Sequence, residues 1–322
     1  MAGKLEIIVL GSGPSCTTPN LACLTRDDSS INAPCRCCSS ISESTDDAMA
    51  AGGRKNMRGN TSAVVRKTWS DGTQSYLVQA GVGSGTGLKP ALDFKIIDAH
   101  KEITIAGINF LPFEVQHGTT DVTVPMTVSA AKGNHDTSVP SSPEEFSQEA
   151  TMKIKVPYMT LALLIEDKIL WMTDTNVLPD RAWNILLHGV NKEGAIVAPD
   201  SSKRKLPMAF IDLADHMMIG RAHLDLRGFI ETLDRLEPEC TFAIGMNHTL
   251  CHGEIVALGQ EAEGQRPMGY ENAFIEKALY GDISKLANDG LFARIQQKRL
   301  HFRPAFDGMT VSMELEDAMA NV

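Results

Sequence analysis

The sequence predicts an α/β protein in which paired strands form a β-sandwich flanked by helices. In the first half of the chain, short apolar runs pair around turn signals such as Asp71-Gly72, which is typical of β-hairpins. In the second half, buried runs alternate with amphipathic segments such as Leu224–Leu236, which is typical of sheets covered by helices. The 322 residues contain no internal repeat and no clear linker, so we expect a single domain over residues 1–322.

Strands and two irregular segments are predicted for the first half. The chain opens on an apolar run, Leu5–Leu10, which ends at a tight Gly11-Ser-Gly13 turn. A Cys-rich loop at 16–58 and a polar insertion at about 119–151 are expected, because both stretches are poor in periodic apolar residues. The other predicted strands here are Ser62–Thr68, Ser75–Gln79, Ile103–Ile105 and Asn109–Gln116.

Strands and helices alternate in the second half. The predicted strands are Met159–Ile165, Ile169–Thr173, Met208–Leu213, Cys240–Ile244 and Met309–Met313. The predicted helices are Asp180–Leu187, Leu224–Leu236 and Asn272–Asp289. Pro179 suits the first turn of the first of these helices, because proline lacks only an N–H that has no partner there.

Charge and composition exclude several classes of function. The net charge of −10 argues against a nucleic-acid or anionic-membrane partner. The N-terminal apolar run is too short for a signal sequence or a membrane span, so we expect a cytoplasmic protein, with a nuclear one as the alternative. Gly11-Ser-Gly13 follows a strand, as dinucleotide-binding turns do, but Cys16 stands where the third glycine is needed. A structural turn is the better interpretation.

The cysteines are clustered in a way that indicates a metal. Of seven cysteines, five lie between Cys16 and Cys38. Cys35-x-x-Cys38 with Cys23 upstream forms a reasonable half of a zinc site, because a C-x-x-C turn brings two sulfurs to one ion. Unpaired surface thiols are the alternative. A fourth ligand must come from elsewhere in the chain, and His248 is the candidate.

Other candidate ligands follow predicted strands. His117 and Asp174 each end a strand-like segment, where side chains of neighbouring strands can meet in a cleft, although a lone residue of either kind is more often structural. If Asn247-His248-x-x-x-His252 is helical, its two imidazoles lie on one face of the helix. The alternative is a solvated loop. His223 lies at the start of a predicted helix, where an exposed or capping role is the alternative.

Read together and in order, these segments resemble the cyclic-phosphodiesterase branch of the metallo-β-lactamase superfamily. The resemblance is carried by Leu10–Ser15, Leu111–Gly118, Ile169–Asp174, Ile244–His248 and Phe306–Met309, together with the cysteines. It covers most of residues 5–81 and 103–313. It implies an αββα sandwich with a two-metal site at one edge of the sheets, in which part of the N-terminal half is missing here.

The resemblance also implies roles for individual residues. His117 matches a ligand of one metal, Asp174 matches the carboxylate that bridges both, and His223 matches a position proposed for the general acid. A separate structural zinc is implied, with the ligands Cys23, Cys35, Cys38 and His248. Cys37 is an alternative to one of these cysteines. A second divalent metal, Zn or Mn, a small-molecule phosphodiester substrate and a homodimer are compatible with the resemblance.

The metal centre of this family is incomplete in the sequence. No His-x-His-x-Asp-His motif occurs in the chain, and Gly245 stands where bacterial members have a further histidine. Residues 82–102 are too few for the missing helix, motif and loop. We therefore expect a metal-dependent, phosphodiesterase-related hydrolase with a degraded active site and with weak or no hydrolysis. His100, His223 and His252 are candidate replacement ligands, and the segment around His135 is an alternative source of new ligands.

Two other interpretations stay open. One is a catalytically inactive, zinc-stapled scaffold or binding protein, because four primary ligands are absent. The other is an exon-skipped or mispredicted version of an active enzyme, because both flanks of the junction near Gly81–Lys89 still match the family.

Overall fold

The structure, a computed structural model, describes residues 3–14, 17–25, 35–80, 97–125, 151–191, 194–197, 204–215, 222–265, 275–276, 278–279 and 289–315. Its strands are β1 Gly3–Gly11, β2 Ser62–Trp69, β3 Gln74–Ala80, β4 Ile103–Ile105, β5 Ile108–Pro125, β6 Thr151–Ile165, β7 Ile169–Met172, β8 Met208–Asp212, β9 Cys240–Ile244, β10 Phe302–Pro304 and β11 Thr310–Leu315. Its helices are α1 Leu21–Leu24, α2 Arg36–Ser40, α3 Asp46–Ala50, α4 Asp180–His188, α5 Leu226–Leu236, α6 His252–Ala262 and α7 Leu291–Lys298, with a 3₁₀ helix at Gly53–Asn56. Within these ranges, no helix has the length and apolar character needed to cross a bilayer.

The strands form two sheets that face each other. The small sheet has the order β11-β1-β2-β3 and is antiparallel throughout. The large sheet has the order β10-β9-β8-β7-β6-β5-β4. Its strands β10, β9, β8 and β7 are parallel, and the others are antiparallel. The predicted α/β class and two-sheet sandwich are confirmed.

One apolar core fills the space between the sheets. Alternate residues of β1, Leu5, Ile7 and Val9, are fully buried in it, as expected for a strand with one covered face. The large sheet contributes Trp171 and Phe210, whose rings lie 5.0 Å apart. On the outer surface of the small sheet, apolar side chains such as those of Tyr76 and Val78 remain exposed.

A second core lies between the large sheet and the helices. All five residues of β8 are buried, because this strand is covered on both faces. Helix α5 begins after Asp225, whose carboxylate accepts a hydrogen bond from the Gly228 N–H, and it turns Phe229 and Leu233 toward the sheet. Helix α5 therefore packs against the parallel strands and helps to hold them in place.

Several local predictions are corrected by the structure. The Cys-rich stretch contains the short helices α1, α2 and α3, so it is not a plain loop. The predicted polar insertion begins too early, because β5 continues to Pro125; residues 126–150 lie outside the described residues. Helices α6 and α7 were not predicted. Of the predicted helix Asn272–Asp289, residues 275, 276, 278 and 279 are helical, and residue 289 is a turn residue; the rest lies outside the described residues.

The parallel strands decide where polar side chains can gather. The carboxyl ends of β7, β8 and β9 meet at one edge of the large sheet, which is where sites form in sheets of this kind. Asp174 follows β7, Asp212 ends β8, and Gly245 follows β9. His248 comes a few residues after Gly245, so both candidate metal clusters lie along this edge.

Candidate metal centres

Three cysteines and one histidine come together beside the edge of the sheet. Cys23 lies in α1, Cys35 caps the N-terminus of α2, Cys38 lies within α2, and His248 follows β9. One ligand atom from each of these four residues lies within 4.8 Å of the others. The Cys35 Sγ is 3.3 Å from the Nδ1 of His248. Three sulfurs and one imidazole nitrogen form a donor set typical of structural zinc.

The backbone around these cysteines is arranged to support thiolates. The N–H of Cys35 donates to the Cys23 sulfur at 3.1 Å, and the N–H of Cys38 donates to the Cys35 sulfur at 3.4 Å. The N–H of Asn20 donates to the Cys38 sulfur at 3.4 Å. Burial raises the pKa of Cys35 and Cys38, so the thiolate forms need a cation in the cluster. The residues present fit a zinc ion.

The structure does not bring Cys37 to this cluster. Its side chain is 1% exposed and packs against Ala51 and Cys251. The Cys37 thiol is hydrogen-bonded to that of Cys251. Cys37 therefore belongs to the packing between α2 and the start of α6.

A buried arginine holds the loop that carries His248. Arg58 is 1% exposed, and its guanidinium donates to the carbonyl oxygens of Met246, Asn247 and Leu250. It also donates to the side-chain oxygen of Asn56 at 2.9 Å. The planar guanidinium fork can bind several oxygens at once, so it fixes the backbone on both sides of His248.

The second cluster consists of His117, Asp174 and His223. One ligand atom from each lies within 4.8 Å of the others. The two imidazole rings are 4.8 Å apart between centroids and nearly perpendicular. His117 lies in the irregularity of β5 between Gln116 and Thr119, and Asp174 adopts a left-handed backbone with φ of 51°. Both features turn side chains out of the regular strand direction.

Both imidazoles in this cluster are held through Nδ1. The Nδ1 of His117 lies 2.7 Å from the carbonyl oxygen of Ala222, which can only accept a hydrogen bond. The Nδ1 of His223 lies 2.8 Å from Oδ2 of Asp212. In its neutral form each ring therefore donates from Nδ1 and carries its lone pair on Nε2, which is the usual arrangement of metal-binding histidines.

Asp212 is the functional residue that the sequence did not reveal. Its side chain is 1% exposed, and Oδ2 also accepts from the Thr175 N–H at 3.1 Å. Burial raises the pKa of Asp212. Burial alone would lower the pKa of His223, but the hydrogen bond and charge of Asp212, with Asp174 nearby, raise it above its ordinary value. The raised pKa favours the imidazolium form of His223, so a metal ion that binds at Nε2 must displace a proton there.

Because Gly245 has no side chain, the carboxylate of Asp212 has room beside it. A Cβ on Gly245 would lie 2.5 Å from Oδ1 of Asp212, and the residue has φ of 78°. This is the position where the resemblance expects a histidine ligand. A side chain there and the observed position of Asp212 exclude each other.

The other candidate replacement ligands lie elsewhere or outside the described residues. His100 pairs with Glu114 through Nε2, at 3.2 Å. His252 is buried against Phe306, and burial, aided by nearby cations, lowers its pKa to about 3. His135 lies outside the described residues. Among the residues that the structure describes, His117, Asp174 and His223 are therefore the group available for a second metal site.

Comparisons with known proteins add a fold-level likeness. No protein-family model matches the sequence, and no curated protein matches it. One solved structure, described as the crystal structure of a new diphosphatase from the PhnP family, is similar over 98% of this chain and 99% of that chain. The two share 15% sequence identity, with a TM-score of 0.49. A likeness at this level carries no inference about the activity of this chain.

Proposed function

We propose that this protein is a metal-dependent hydrolase of small phosphodiesters, with one catalytic ion at His117, Asp174 and His223. A separate structural zinc is proposed at Cys23, Cys35, Cys38 and His248. The observation that carries the proposal is the cluster of His117, Asp174 and His223, with ligand atoms within 4.8 Å and both imidazoles anchored through Nδ1. Three protein ligands and an open position are typical of catalytic zinc. The phosphodiester class comes from the motif resemblance.

The chain contributes positioning and charge. Asp174 is exposed, so its carboxylate is reachable by a substrate at the sheet edge. Asp212 orients His223, and the Ala222 carbonyl orients His117. When bound, the ion would polarise a phosphoryl oxygen and lower the pKa of a coordinated water.

Turnover is expected to be slow, because the centre holds ligands for one ion. Two-metal hydrolases stabilise both the attacking and the leaving oxygen, whereas one ion covers only part of that charge. The residue roles also differ from those in the resemblance. As a third ligand, His223 is not free to act as a general acid.

The experiment is a metal-dependent assay on a bis-aryl phosphate. Purified protein is stripped, reloaded with Zn²⁺ or Mn²⁺ and assayed, with metal content measured by elemental analysis. The proposal expects about two metal equivalents in total and slow turnover that Asp174→Ala abolishes while one zinc remains. Asp180→Ala, at the exposed start of α4, is the matched control and should leave turnover unchanged.

The competing function is a zinc-stapled binding protein, favoured by the absence of the His-x-His-x-Asp-His motif. If the protein has this function, we expect a single zinc equivalent per chain and no metal-dependent turnover. Turnover that survives Asp174→Ala would also defeat the proposal, because the activity would then arise elsewhere.

A further inference from the structure

We propose that the outer part of the β5–β6 hairpin binds a linear alkyl chain carried by the phosphodiester substrate. The outer ribbon is defined as residues 119–125 of β5 and 151–157 of β6. This inference rests on the proposed function, because it places the phosphate at His117, Asp174 and His223.

The outer ribbon extends past the rest of the large sheet. Its strands pair with each other from Thr119 with Pro157 to Pro125 with Thr151. Within the described part of the chain, β4 pairs with β5 only up to Phe110, and β7 pairs with β6 only from Leu163 onward. Among the described residues the ribbon is therefore two strands wide, and its side chains belong to neither of the two cores.

The two faces of the ribbon differ in chemistry. On one face the cross-strand pairs are Val122 with Ile154 and Val124 with Met152, and Val156, paired with Thr120, continues the row. The opposite face carries Asp121 paired with Lys155, and Thr123 paired with Lys153. Side chains alternate along a strand, so the first face is apolar and the second is solvated.

The apolar face remains partly exposed to solvent. Val122 is 39% exposed and Met152 is 46% exposed, while Ile154 and Val156 are half-buried. Isolated two-stranded hairpins are only marginally stable in water, and an apolar face on one of them favours a ligand that covers it.

The apolar face starts at the metal centre. Tyr158 follows Val156 on the same face of β6, and its ring lies 5.9 Å from that of His117. One step further along, Thr160 donates from Oγ1 to the Asp174 carbonyl at 3.0 Å. A substrate whose phosphate lies at the metal centre therefore has Tyr158 beside it and the apolar row beyond.

The length of this row favours a chain over a compact ring. From Val156 to Met152 the strand rises about 14 Å at roughly 3.4 Å per residue. An aryl group covers only the part nearest Tyr158, whereas a linear hydrocarbon chain can follow the whole row. Each methylene buried on the face should raise affinity by roughly three- to four-fold.

The test uses alkylphosphonates, which bind without being hydrolysed. Methyl-, hexyl- and decylphosphonate are titrated calorimetrically, below their aggregation concentrations, into the metal-loaded full chain. Affinity is expected to rise with chain length. Ile154→Thr keeps a strand-forming residue but removes apolar surface, and it should flatten the rise. Lys153→Thr, on the opposite face, should leave the rise intact.

Each outcome bears on a separate statement. Equal affinity for the three phosphonates, or equal behaviour of the Ile154 and Lys153 variants, overturns the alkyl-chain inference. Association of the apolar faces in a dimer, or binding to lipid vesicles with no chain-length effect, overturns it too. Turnover of the bis-aryl phosphate is measured in parallel. Its absence with a retained chain-length effect defeats the proposed hydrolase but not the apolar site.

Discussion

Replacing Gly245 by alanine should destabilise the protein and disturb the candidate metal centre at once. Gly245 has φ of 78°, in the left-handed region, and an added Cβ would lie 2.5 Å from Oδ1 of Asp212. Carbon and oxygen atoms do not approach so closely without a shift. Asp212 would have to move, and it is the residue that holds His223 and the Thr175 N–H.

The magnitude has two parts. Placing alanine in the left-handed region costs roughly 1 kcal/mol. Displacing Asp212 weakens its hydrogen bonds to His223 and Thr175, and a hydrogen bond to a charged group contributes about 1.5–3 kcal/mol. We therefore expect the free energy of unfolding to fall by about 2.5–4 kcal/mol in total.

The assay is urea unfolding of the purified variant beside a matched control. Gly264 has the same φ of 78°, and an added Cβ there meets nothing within 4 Å. Gly264→Ala should therefore lose only the conformational part, about 1 kcal/mol. The reasoning is refuted if the two variants agree within about 0.5 kcal/mol, because the contact with Asp212 would then be absent. Gly245→His should be destabilised at least as much as Gly245→Ala. Introducing the histidine that the resemblance expects should therefore not create a two-metal site.

Three further predictions concern the zinc cluster and the helical layer. Cys38→Ser should remove about one zinc equivalent from the purified protein, while Cys37→Ser should retain it; elemental analysis decides, and equal loss would contradict the ligand assignment. Arg58→Lys keeps the charge, but a lysine ammonium cannot bind the several carbonyl oxygens around His248 that the guanidinium binds. Zinc affinity measured by chelator competition should therefore fall roughly 10- to 100-fold, and an unchanged affinity would contradict this role of Arg58. Burial alone would raise the pKa of Asp234, but hydrogen bonds from the two cations of α7 hold it below its ordinary value. Its stabilisation is present above the unfolded-state pKa and is lost as pH falls through the folded-state pKa. Asp234→Asn should therefore cost about 1 kcal/mol at neutral pH and nothing once Asp234 is protonated in both states, and a cost independent of pH would refute this.

Strand positions could be predicted largely from local pattern. The pair predicted at Ser62–Thr68 and Ser75–Gln79 is observed at Ser62–Trp69 and Gln74–Ala80. Turn chemistry at Asp71-Gly72 and the alternation of apolar residues are properties of neighbouring residues, so they are visible in sequence. The end of β5 was missed for a local reason as well. The threonines and Asp121 next to Val122 and Val124 obscured the alternation of these two apolar residues.

Helix α6 shows where local pattern fails. Two glycines, Gly253 and Gly259, lower its helix propensity and hid it in the sequence. In the structure, added Cβ atoms at these positions would lie 1.9 Å from the Ala50 carbonyl and 2.4 Å from the Phe302 carbonyl. The glycines therefore serve close packing against α3 and β10, and the packed face stabilises the helix.

The candidate ligands could be chosen from residue type and spacing, but their grouping could not. Cysteine clustering and strand-end positions identified the thiols, His117 and Asp174 as candidates, since these signals lie within short segments. Asp212 carried no such signal, because its role depends on β8 lying parallel and adjacent to β7. The exclusion of a side chain at Gly245 depends on the same neighbouring carboxylate. Such relations join residues far apart in the chain, and only the packing of the sheet brings them within a few ångströms.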